Sequence, residues 1–194
     1  MKFRETAIRG VMVVETEPFS DARGFFARLQ CPDAFAAAGF PFAPAQTSLS
    51  HNLRALTLRG LHYQPPPFGE TKLVRVVRGR TFEVAVDLRP DSPTHRRWFG
   101  YELEAENAQA LLIPEGVAHG FLTLEDDTDV LYQIAPAYTP GHDRGVRWDD
   151  PAFGIEWPAP PAVISARDAA YPDYVADHDD SGLNQSKAMG RDRF

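Results

Sequence analysis

Short stretches in which apolar and polar residues alternate recur along the chain. In the clearest of them, residues 81–88, every second side chain is apolar, while Glu83 and Asp87 fall on the opposite face. This period of two predicts a β-strand. Gly79, between two arginines, reads as a tight turn, so we predict a hairpin over Lys72–Leu88. Further strands are predicted at Trp98–Glu104, Gln109–Ile113, Gly120–Leu124 and Val130–Ala135.

The rest of the chain fits a mainly β protein with few helices. One short helix is predicted over Asp33–Ala38, opened by Pro32 and closed by Gly39. The 17 prolines and 14 glycines supply the many turns that short strands need. Many short strands at even spacing are typical of a sandwich, a barrel or a jelly roll.

Length and composition predict one domain followed by a polar tail. The chain has 194 residues, and its body over residues 1–174 is long enough for one sizeable core. Residues 175–194 are polar and have few apolar anchors. We therefore predict a mobile C-terminal tail over these last residues.

Charge, hydropathy and cysteine content argue against several broad classes of protein. The net charge of −7 argues against a general nucleic-acid binder. No apolar run approaches the roughly 18 residues that a membrane span needs. The N-terminus also has no signal-peptide core, so we expect a cytoplasmic protein without a membrane partner. The single cysteine, Cys31, forms no internal disulfide and fits a reducing compartment.

His62 is the first candidate for chemistry. It lies in the run Leu58–Pro66 and is followed at once by an aromatic residue and an amide, and then by the three prolines at positions 65–67. An imidazole titrates near neutral pH and can act as a general base when a partner fixes its tautomer. Asp168 is a candidate partner, although spacing alone cannot pair two residues so far apart. A histidine that is hydrogen-bonded in the core is the alternative interpretation.

Lys72 and Tyr132 are further candidates, because both lie on predicted strands. An inward-pointing lysine near a carbonyl oxygen would lower the cost of forming an enolate. Tyr132 could donate a proton from the face opposite His62. A solvated lysine and a tyrosine whose hydroxyl is satisfied locally are the alternatives.

Three arginines, Arg23, Arg59 and Arg167, could fork onto phosphate oxygens, although each could equally be a solvated surface residue. Such a local basic pocket for a phosphorylated metabolite is compatible with an acidic protein, since cationic side chains can cluster within it.

A metal centre is not favoured by the histidine pattern. Metal-binding jelly rolls commonly use two histidines two residues apart, a carboxylate and a later histidine. Here His62 has Gly60 and Gln64 at the neighbouring positions, and His119 could supply only the later ligand. Two imidazoles without a matching carboxylate are a poor ligand set for a divalent metal.

Several motifs in order along the chain resemble the dTDP-4-dehydrorhamnose 3,5-epimerase family. The resemblance covers about Phe3 to Pro172. The matching runs are Phe19–Phe26, Leu58–Pro66, Lys72–Gly79, Val86–Thr94, Ile113–Phe121 and Trp148–Pro151. Membership implies a cupin-like double-stranded β-helix jelly roll that works as a homodimer without a metal or other cofactor.

The resemblance also implies a reaction. The substrate would be a 4-keto-6-deoxyhexose attached to a thymidine diphosphate, and the hydrogens on its carbons 3 and 5 flank the carbonyl at carbon 4. By motif, His62 resembles the base, Asp168 its partner and Lys72 the residue that stabilises the enolate oxygen. Tyr132 resembles the acid that returns a proton on the other face and so inverts the centre.

Further positions match residues that hold the substrate in this family. Arg23, Gln46, Arg59 and His119 match positions that hold the nucleotide, the phosphates or the sugar, and Tyr138 matches a tyrosine near the sugar. The chain departs from the family's usual residues at four other positions of this kind. They are Arg28 for glutamate, Ser48 for asparagine, Asp143 for glutamate and Arg167 for lysine.

The stretch Phe68–Thr71 before Lys72 also differs from the sequence that is usual in the family. Because a change from glutamate to arginine reverses charge, we predict altered recognition of the nucleotide or sugar with the proton-transfer chemistry kept.

Four functions compete at this point. The leading one is epimerisation at carbon 3, carbon 5 or both. The second is a keto-sugar isomerase, or an epimerase on another nucleotide such as GDP. The third is a non-catalytic jelly roll that binds sugar nucleotides, which the His62, Lys72 and Tyr132 set disfavours. The fourth is a metal-dependent dioxygenase or isomerase, which the missing ligands disfavour.

Overall fold

The structure, a computed structural model, describes residues 1–175. Its strands are β1 (Lys2–Glu5), β2 (Met12–Glu15), β3 (Phe19–Asp21), β4 (Gly24–Phe26), β5 (Gln46–Asn52), β6 (Thr57–Tyr63), β7 (Thr71–Arg78), β8 (Arg80–Asp87), β9 (Trp98–Glu104), β10 (Ala110–Ile113), β11 (Val117–Thr123), β12 (Thr128–Ala135), β13 (Arg144–Gly145) and β14 (Val163–Ile164). The helices are α1 (Pro32–Ala37), α2 (Ala166–Ala169) and a 3₁₀ turn at Ala105–Asn107. In these residues no helix is long and apolar enough to cross a membrane.

Two sheets face each other across the core. One has the strand order β1-β2-β10-β7-β12-β5, and the other has the order β13-β6-β11-β8-β9, with β14 added in parallel to β6. All other strand pairs are antiparallel. Strands β3 and β4 form a separate two-stranded hairpin. Side chains from both large sheets, including Val74, Ala85 and Phe121, meet in the interior cluster. The prediction of a mainly β protein is therefore confirmed.

The predicted elements correspond closely to observed ones. The helix predicted over Asp33–Ala38 is α1, shifted by one residue, with Pro32 at its start. The four strands predicted after the first hairpin are β9, β10, β11 and β12. The predicted tail over residues 175–194 lies outside the described residues except for Val175.

The hairpin predicted over Lys72–Leu88 is wrong, although both of its strands exist. β7 belongs to the first sheet and β8 to the second, and the two are not paired. Gly79 turns the corner between the sheets with φ +74°, and a Cβ atom there would lie 2.4 Å from the Thr128 hydroxyl oxygen. A tight glycine turn therefore serves a corner as well as a hairpin. As a result, His62 and Lys72 face each other from opposite sheets.

Both faces of β8 are buried. The alternation read from the sequence is confirmed, but its polar face is the inner one, because Ala85, which lies between Glu83 and Asp87 on that face, packs in the cluster between the two sheets. The apolar side chains Val84 and Val86 point outward and are covered by a second cluster that includes Phe153. Carboxylates inside a core need partners, and the structure supplies one set for each of them.

Asp87 anchors the loop between β8 and β9. Its carboxylate accepts hydrogen bonds from Arg89 (Nε to Oδ1, 2.8 Å), from Thr94 (Oγ1 to Oδ2, 2.6 Å) and from Ser92. Burial alone would raise the pKa of Asp87, but these hydrogen bonds outweigh it and hold the pKa at about 2. The ionised carboxylate is thus favoured by the folded state.

We predict that Asp87→Asn destabilises the fold in a pH-dependent way. Because the folded pKa lies below the unfolded value of 3.8, Asp87 stabilises the fold above pH 4, by about 2 kcal/mol. That contribution is lost as the pH falls through 2. Urea unfolding at pH 7 and pH 2.5 should show a difference between Asp87→Asn and wild type that shrinks at the lower pH. Asp91→Asn, on the exposed part of the same loop, should match wild type at both; an equal loss there would contradict the assignment.

Candidate active site

A cavity of about 690 Å³ opens between the two sheets at the end formed by β5, β6, β7, β11 and β12, beside α2. Most of the predicted site residues line it. They are His62, Lys72, Tyr132, Asp168, Ser48, Arg59, His119, Tyr138, Asp143 and Arg167. The cavity is large enough for a sugar nucleotide fragment, so the site can be built from the residues on its walls.

His62 forms a dyad with Asp168. The imidazole Nε2 lies 2.7 Å from Asp168 Oδ1, and Oδ2 of the same carboxylate accepts the backbone N–H of Gly60. Burial alone would raise the pKa of Asp168, but the hydrogen bond and charge of His62 outweigh it and lower the pKa. An ionised Asp168 accepts the Nε2–H, which leaves Nδ1 as the basic nitrogen of His62.

The pairing of two strands, β6 and β14, and the capping of α2 position this dyad. Ser165 caps α2 by accepting the N–H of Asp168, which fixes the helix that carries the carboxylate. The pairing of β14 with β6 then brings this helix against the strand of His62. The helix and the strand are therefore held together before any substrate is bound.

A bulge in β6 turns both Arg59 and His62 into the cavity. The two residues are three apart, so a regular strand would point them to opposite faces. The register against β11 shifts between His119, opposite His62, and Phe121, opposite Arg59. Gly60 makes the bulge possible, because a Cβ atom there would lie 2.5 Å from the Cα atom of Gly120. The extra residue restores both side chains to one face.

Lys72 reaches the same cavity from the opposite sheet. Its Nζ atom lies 2.9 Å from Glu70 Oε1 and donates to the backbone oxygen of His62 at 3.4 Å. Only 8% of Lys72 and 7% of Glu70 is exposed. An ammonium with three donors and two protein acceptors keeps one donor for a ligand, which suits the oxyanion role predicted from its position.

His119 stands opposite His62 in the pairing of β11 with β6 and forms a second imidazole–carboxylate pair. Its Nε2 lies 2.6 Å from Glu83 Oε2, and Thr81 donates to the other Glu83 oxygen at 2.5 Å. Burial lowers the pKa of His119, and the bond to Glu83 offsets this effect only in part. His119 is therefore neutral at neutral pH and can present Nδ1 as an acceptor.

Tyr132 is a protonated phenol on the cavity wall. Its ring meets that of His119 edge to face, with centroids 6.0 Å apart. Burial, reinforced by the negative charge of Glu83, raises the pKa of Tyr132 well above its ordinary value, and Arg59 opposes this effect. The hydroxyl keeps its proton at neutral pH and can donate it.

The rim of the cavity joins two of the departures noted in the sequence. Asp143 accepts a hydrogen bond from the Tyr138 hydroxyl at 2.8 Å and pairs with Arg167. Arg167 also donates to the hydroxyl of Tyr171, whose ring lies edge-on to His62 with centroids 6.2 Å apart. Asp143 replaces an acid by a shorter acid, and Arg167 replaces one cation by another. Both departures therefore keep the charge at this rim.

Gln46 and Ser48 lie together beside the cavity. Gln46 does not line the cavity itself; its Nε2 donates to Ser48 Oγ at 3.1 Å, and its Oε1 accepts the backbone N–H of Tyr138. Arg59, on the cavity wall, donates to Asn52 Oδ1 at 2.8 Å. Gln46 is thus placed to support its neighbours.

Two predicted substrate residues lie away from the cavity. Arg23 sits on the β3–β4 hairpin with 90% of its side chain exposed and pairs with Asp21. Arg28 follows the hairpin and lines a separate recess of about 250 Å³ with Glu17 and Phe19. Within one copy of the chain, neither arginine is brought to His62.

Metal ligation finds no site in the part of the chain that the structure describes. Over residues 1–175, no three histidine, cysteine or acidic side chains come close enough together to hold an ion. The two imidazoles of the cavity are each committed to a carboxylate, His62 to Asp168 and His119 to Glu83.

The family is decided by comparison with known proteins. The model of the dTDP-4-dehydrorhamnose 3,5-epimerase family matches residues 5–175. The chain belongs to the dTDP-4-dehydrorhamnose 3,5-epimerase family. Individual relatives agree with this assignment. The dTDP-4-dehydrorhamnose 3,5-epimerase of Sinorhizobium fredii is 40% identical over 173 residues, which is 89% of each chain.

Solved structures confirm the cupin-like jelly roll expected of an epimerase of this family. The crystal structure of the Bacillus anthracis dTDP-4-dehydrorhamnose 3,5-epimerase, which has TDP and pyrophosphate bound, has a TM-score of 0.86 and 39% identity. The similarity covers 89% of this chain and 99% of that one. A dTDP-4-dehydrorhamnose 3-epimerase from Streptomyces niveus is 37% identical over 87% of this chain and 81% of its own.

The sequence analysis did not identify two buried glutamates of this epimerase fold as site residues. Glu83 supports His119, and Glu70 pairs with Lys72 on the cavity wall. The available signals were weak. Glu83 shares the inner face of β8 with Ala85 and Asp87, and Glu70 lies two residues from Lys72, on the same side of an extended chain.

We predict that Asp168→Asn lowers proton exchange by His62 by about 10²-fold. The amide keeps the shape of the side chain but cannot stabilise an imidazolium or enforce the Nε2–H tautomer. Solvent-deuterium uptake by a bound 4-keto sugar nucleotide, followed by NMR, measures this step. Asp173→Asn, on the surface outside the cavity, is the matched control. Exchange at the wild-type rate in Asp168→Asn would remove the carboxylate from its role.

Proposed function

We propose that the protein epimerises carbon 3, carbon 5 or both in a 4-keto-6-deoxyhexose linked to a nucleoside diphosphate, as a step in deoxysugar biosynthesis. One observation carries this proposal: the His62–Asp168 dyad shares a cavity with Lys72 and the protonated Tyr132. A base, a cation and an acid around one ligand are what inversion beside a ketone requires.

The reaction follows from these groups. Nδ1 of His62 takes the proton from the ring carbon beside the ketone, and the released electron pair forms a carbon–carbon double bond. The carbonyl electrons move to the oxygen at carbon 4, where the third N–H of Lys72 stabilises the enolate. Tyr132 then returns a proton to the other face, and the double bond reverts to the ketone with that centre inverted.

Arg59 on the cavity wall suits a diphosphate, because arginine binds phosphate oxygens in a bidentate manner and the partner of Arg59, Asn52, is neutral. Lys72 and Arg167 also line the wall, but each pairs with a carboxylate. The named relatives act on dTDP-linked dehydrorhamnose, and the Bacillus anthracis structure holds TDP. A thymidine nucleotide is therefore the nucleotide that we propose for this chain, with Ser48 on the wall as a departure that can change its recognition.

Inversion at a single centre is the second candidate. A relative named as a 3-epimerase is 37% identical to this chain, only slightly less than the 3,5-epimerases. Both reactions use the same base, cation and acid. They differ in which ring carbons can be presented to His62, so the number of exchanging positions separates them.

A homodimer is also part of the proposal. The β3–β4 hairpin exposes large apolar side chains, with Phe19 73% and Phe26 77% exposed. Exposed aromatic clusters of this kind mark interaction surfaces. Because Arg23 and Arg28 lie on or beside this hairpin, docking of two copies through it would also offer these arginines to the other copy's cavity. A cytoplasmic location remains a prediction from composition.

The isotope experiment tests the reaction directly. The protein is incubated with dTDP-4-keto-6-deoxyglucose in deuterated water, and NMR follows carbons 3 and 5. We expect deuterium at both positions for a 3,5-epimerase and at one for a restricted enzyme. His62→Ala should lower exchange by about 10²-fold or more. His51→Ala should not, because His51 is an exposed residue of β5 that does not line the cavity. A bound substrate that takes up no deuterium would contradict the proposal.

The dimer is tested by light scattering after gel filtration. Wild type should have twice the mass of one 21.6 kDa chain. Phe26→Ser should shift this equilibrium towards the monomer, because it removes a large apolar contact from the hairpin. Val175→Ser changes an apolar residue that is also exposed but lies outside the hairpin, and should leave the mass unchanged. A monomeric wild type would contradict the homodimer.

A further inference from the structure

Glu70 and Lys72 form a buried ion pair on the cavity wall. Lys72 lies in β7 and Glu70 directly precedes this strand, so the two residues are two positions apart and their side chains point to the same side of the extended chain. Glu70 Oε1 lies 2.9 Å from Lys72 Nζ, and both side chains are at least nine-tenths buried. No other carboxylate among residues 1–175 forms an ion pair with Lys72.

This pair is a poor way to stabilise a fold. Removing two charges from water costs several kcal/mol, which the attraction between them repays only when the remaining polar atoms are also satisfied. Here Glu70 Oε2 is buried and finds no hydrogen-bond donor in residues 1–175. A carboxylate kept in the wall at such a cost needs another explanation.

The surroundings of Lys72 supply that explanation. Lysine has a long flexible stem and a compact charge that can point in many directions. Glu70 holds the ammonium from one side, and the backbone oxygen of His62 holds it from another at 3.4 Å. Each other carboxylate at or behind the cavity wall has a different partner: Asp168 pairs with His62, Glu83 with His119 and Asp143 with Arg167. Glu70 is therefore the acid left to orient Lys72.

We propose that Glu70 is a positioning residue, which fixes the ammonium of Lys72 so that its remaining N–H points at the substrate's carbonyl oxygen. This inference rests on the proposed epimerase function, and it adds a residue that acts through Lys72. Replacing Glu70 should therefore slow the chemical step only when Lys72 is present.

Glu70→Gln tests this role because the amide keeps the size and one acceptor oxygen but removes the charge. In the deuterium assay, kcat should fall by at least about tenfold while KM changes by less than about twofold, because a misplaced ammonium weakens stabilisation of the enolate more than ground-state binding. Glu115→Gln is the matched control, since Glu115 is exposed and lies beside the same loop at Gly69.

A double-mutant cycle separates positioning from a structural role. In a Lys72→Met background, Glu70→Gln should change the residual exchange rate by less than about twofold, because the side chain through which Glu70 acts is gone. A merely structural Glu70 would cost the same factor in both backgrounds. Melting temperatures of the same four proteins give a second measure. Lys72→Met should lower the value by leaving a buried carboxylate unpaired, and adding Glu70→Gln should restore part of it.

The outcomes are distinguishable. If wild type exchanges deuterium and Glu70→Gln exchanges at the same rate, the positioning role is overturned while the epimerase function stands. Equal losses in the presence and absence of Lys72 would also overturn it. If wild type shows no exchange at all, the epimerase function fails, and the role of Glu70 that rests on it fails too.

Discussion

The hydrogen bond between His62 and Asp168 is the contact on which the rest of the site depends. It joins residues 106 positions apart and so requires the jelly roll to be complete. The capping of α2 by Ser165, the pairing of β14 with β6 and the bulge at Gly60 all serve to form it. The carboxylate also accepts the backbone N–H of Gly60, so it holds both His62 and the strand that carries His62.

Each of the two histidines in the cavity has a carboxylate partner, His62 with Asp168 and His119 with Glu83. Two imidazoles that face each other across β6 and β11 would repel if both were charged, but His119 is kept neutral by burial while His62 has an ionised carboxylate behind it. Tyr132 retains its proton for the same reason that His119 is neutral, namely burial. The charge of Arg59, whose partner Asn52 is neutral, and the remaining N–H of Lys72 are then available to a negative ligand. This arrangement leaves His62 as the base and Tyr132 as the acid of the proposed proton transfer.

Most of the strands and most of the cavity residues could be predicted from the sequence, and the predictions that were wrong have physical causes. Alternation identified the strands, but a glycine turn looks the same whether it closes a hairpin or turns a corner between sheets, so the pairing of β7 with β8 was wrong. Alternation also cannot say which face of a strand is inside when both are buried, which is why Glu83 was missed. The bulge at Gly60 reverses the parity that would separate Arg59 from His62.

Long-range pairing was beyond the residues themselves. The residues alone offered Asp168 only as a candidate partner of His62, because nothing in the spacing links the two, and the family resemblance then supported that pair. The same resemblance assigned Arg23 and Arg28 to the substrate, and one copy of the chain does not place them there. In the proposed homodimer, the hairpin would offer them to the other copy's cavity, and no local pattern in the sequence encodes that arrangement.

The central claim is that protons leave one face of the sugar through His62 and return to the other through Tyr132. Tyr132→Phe in deuterated water tests it most directly, with NMR reading both the deuterium content and the configuration of the exchanging carbon. The account predicts that deuterium still enters, because His62 can take a proton and return a solvent deuteron to the same face, while inversion is lost. Inversion at the wild-type rate in Tyr132→Phe would contradict it.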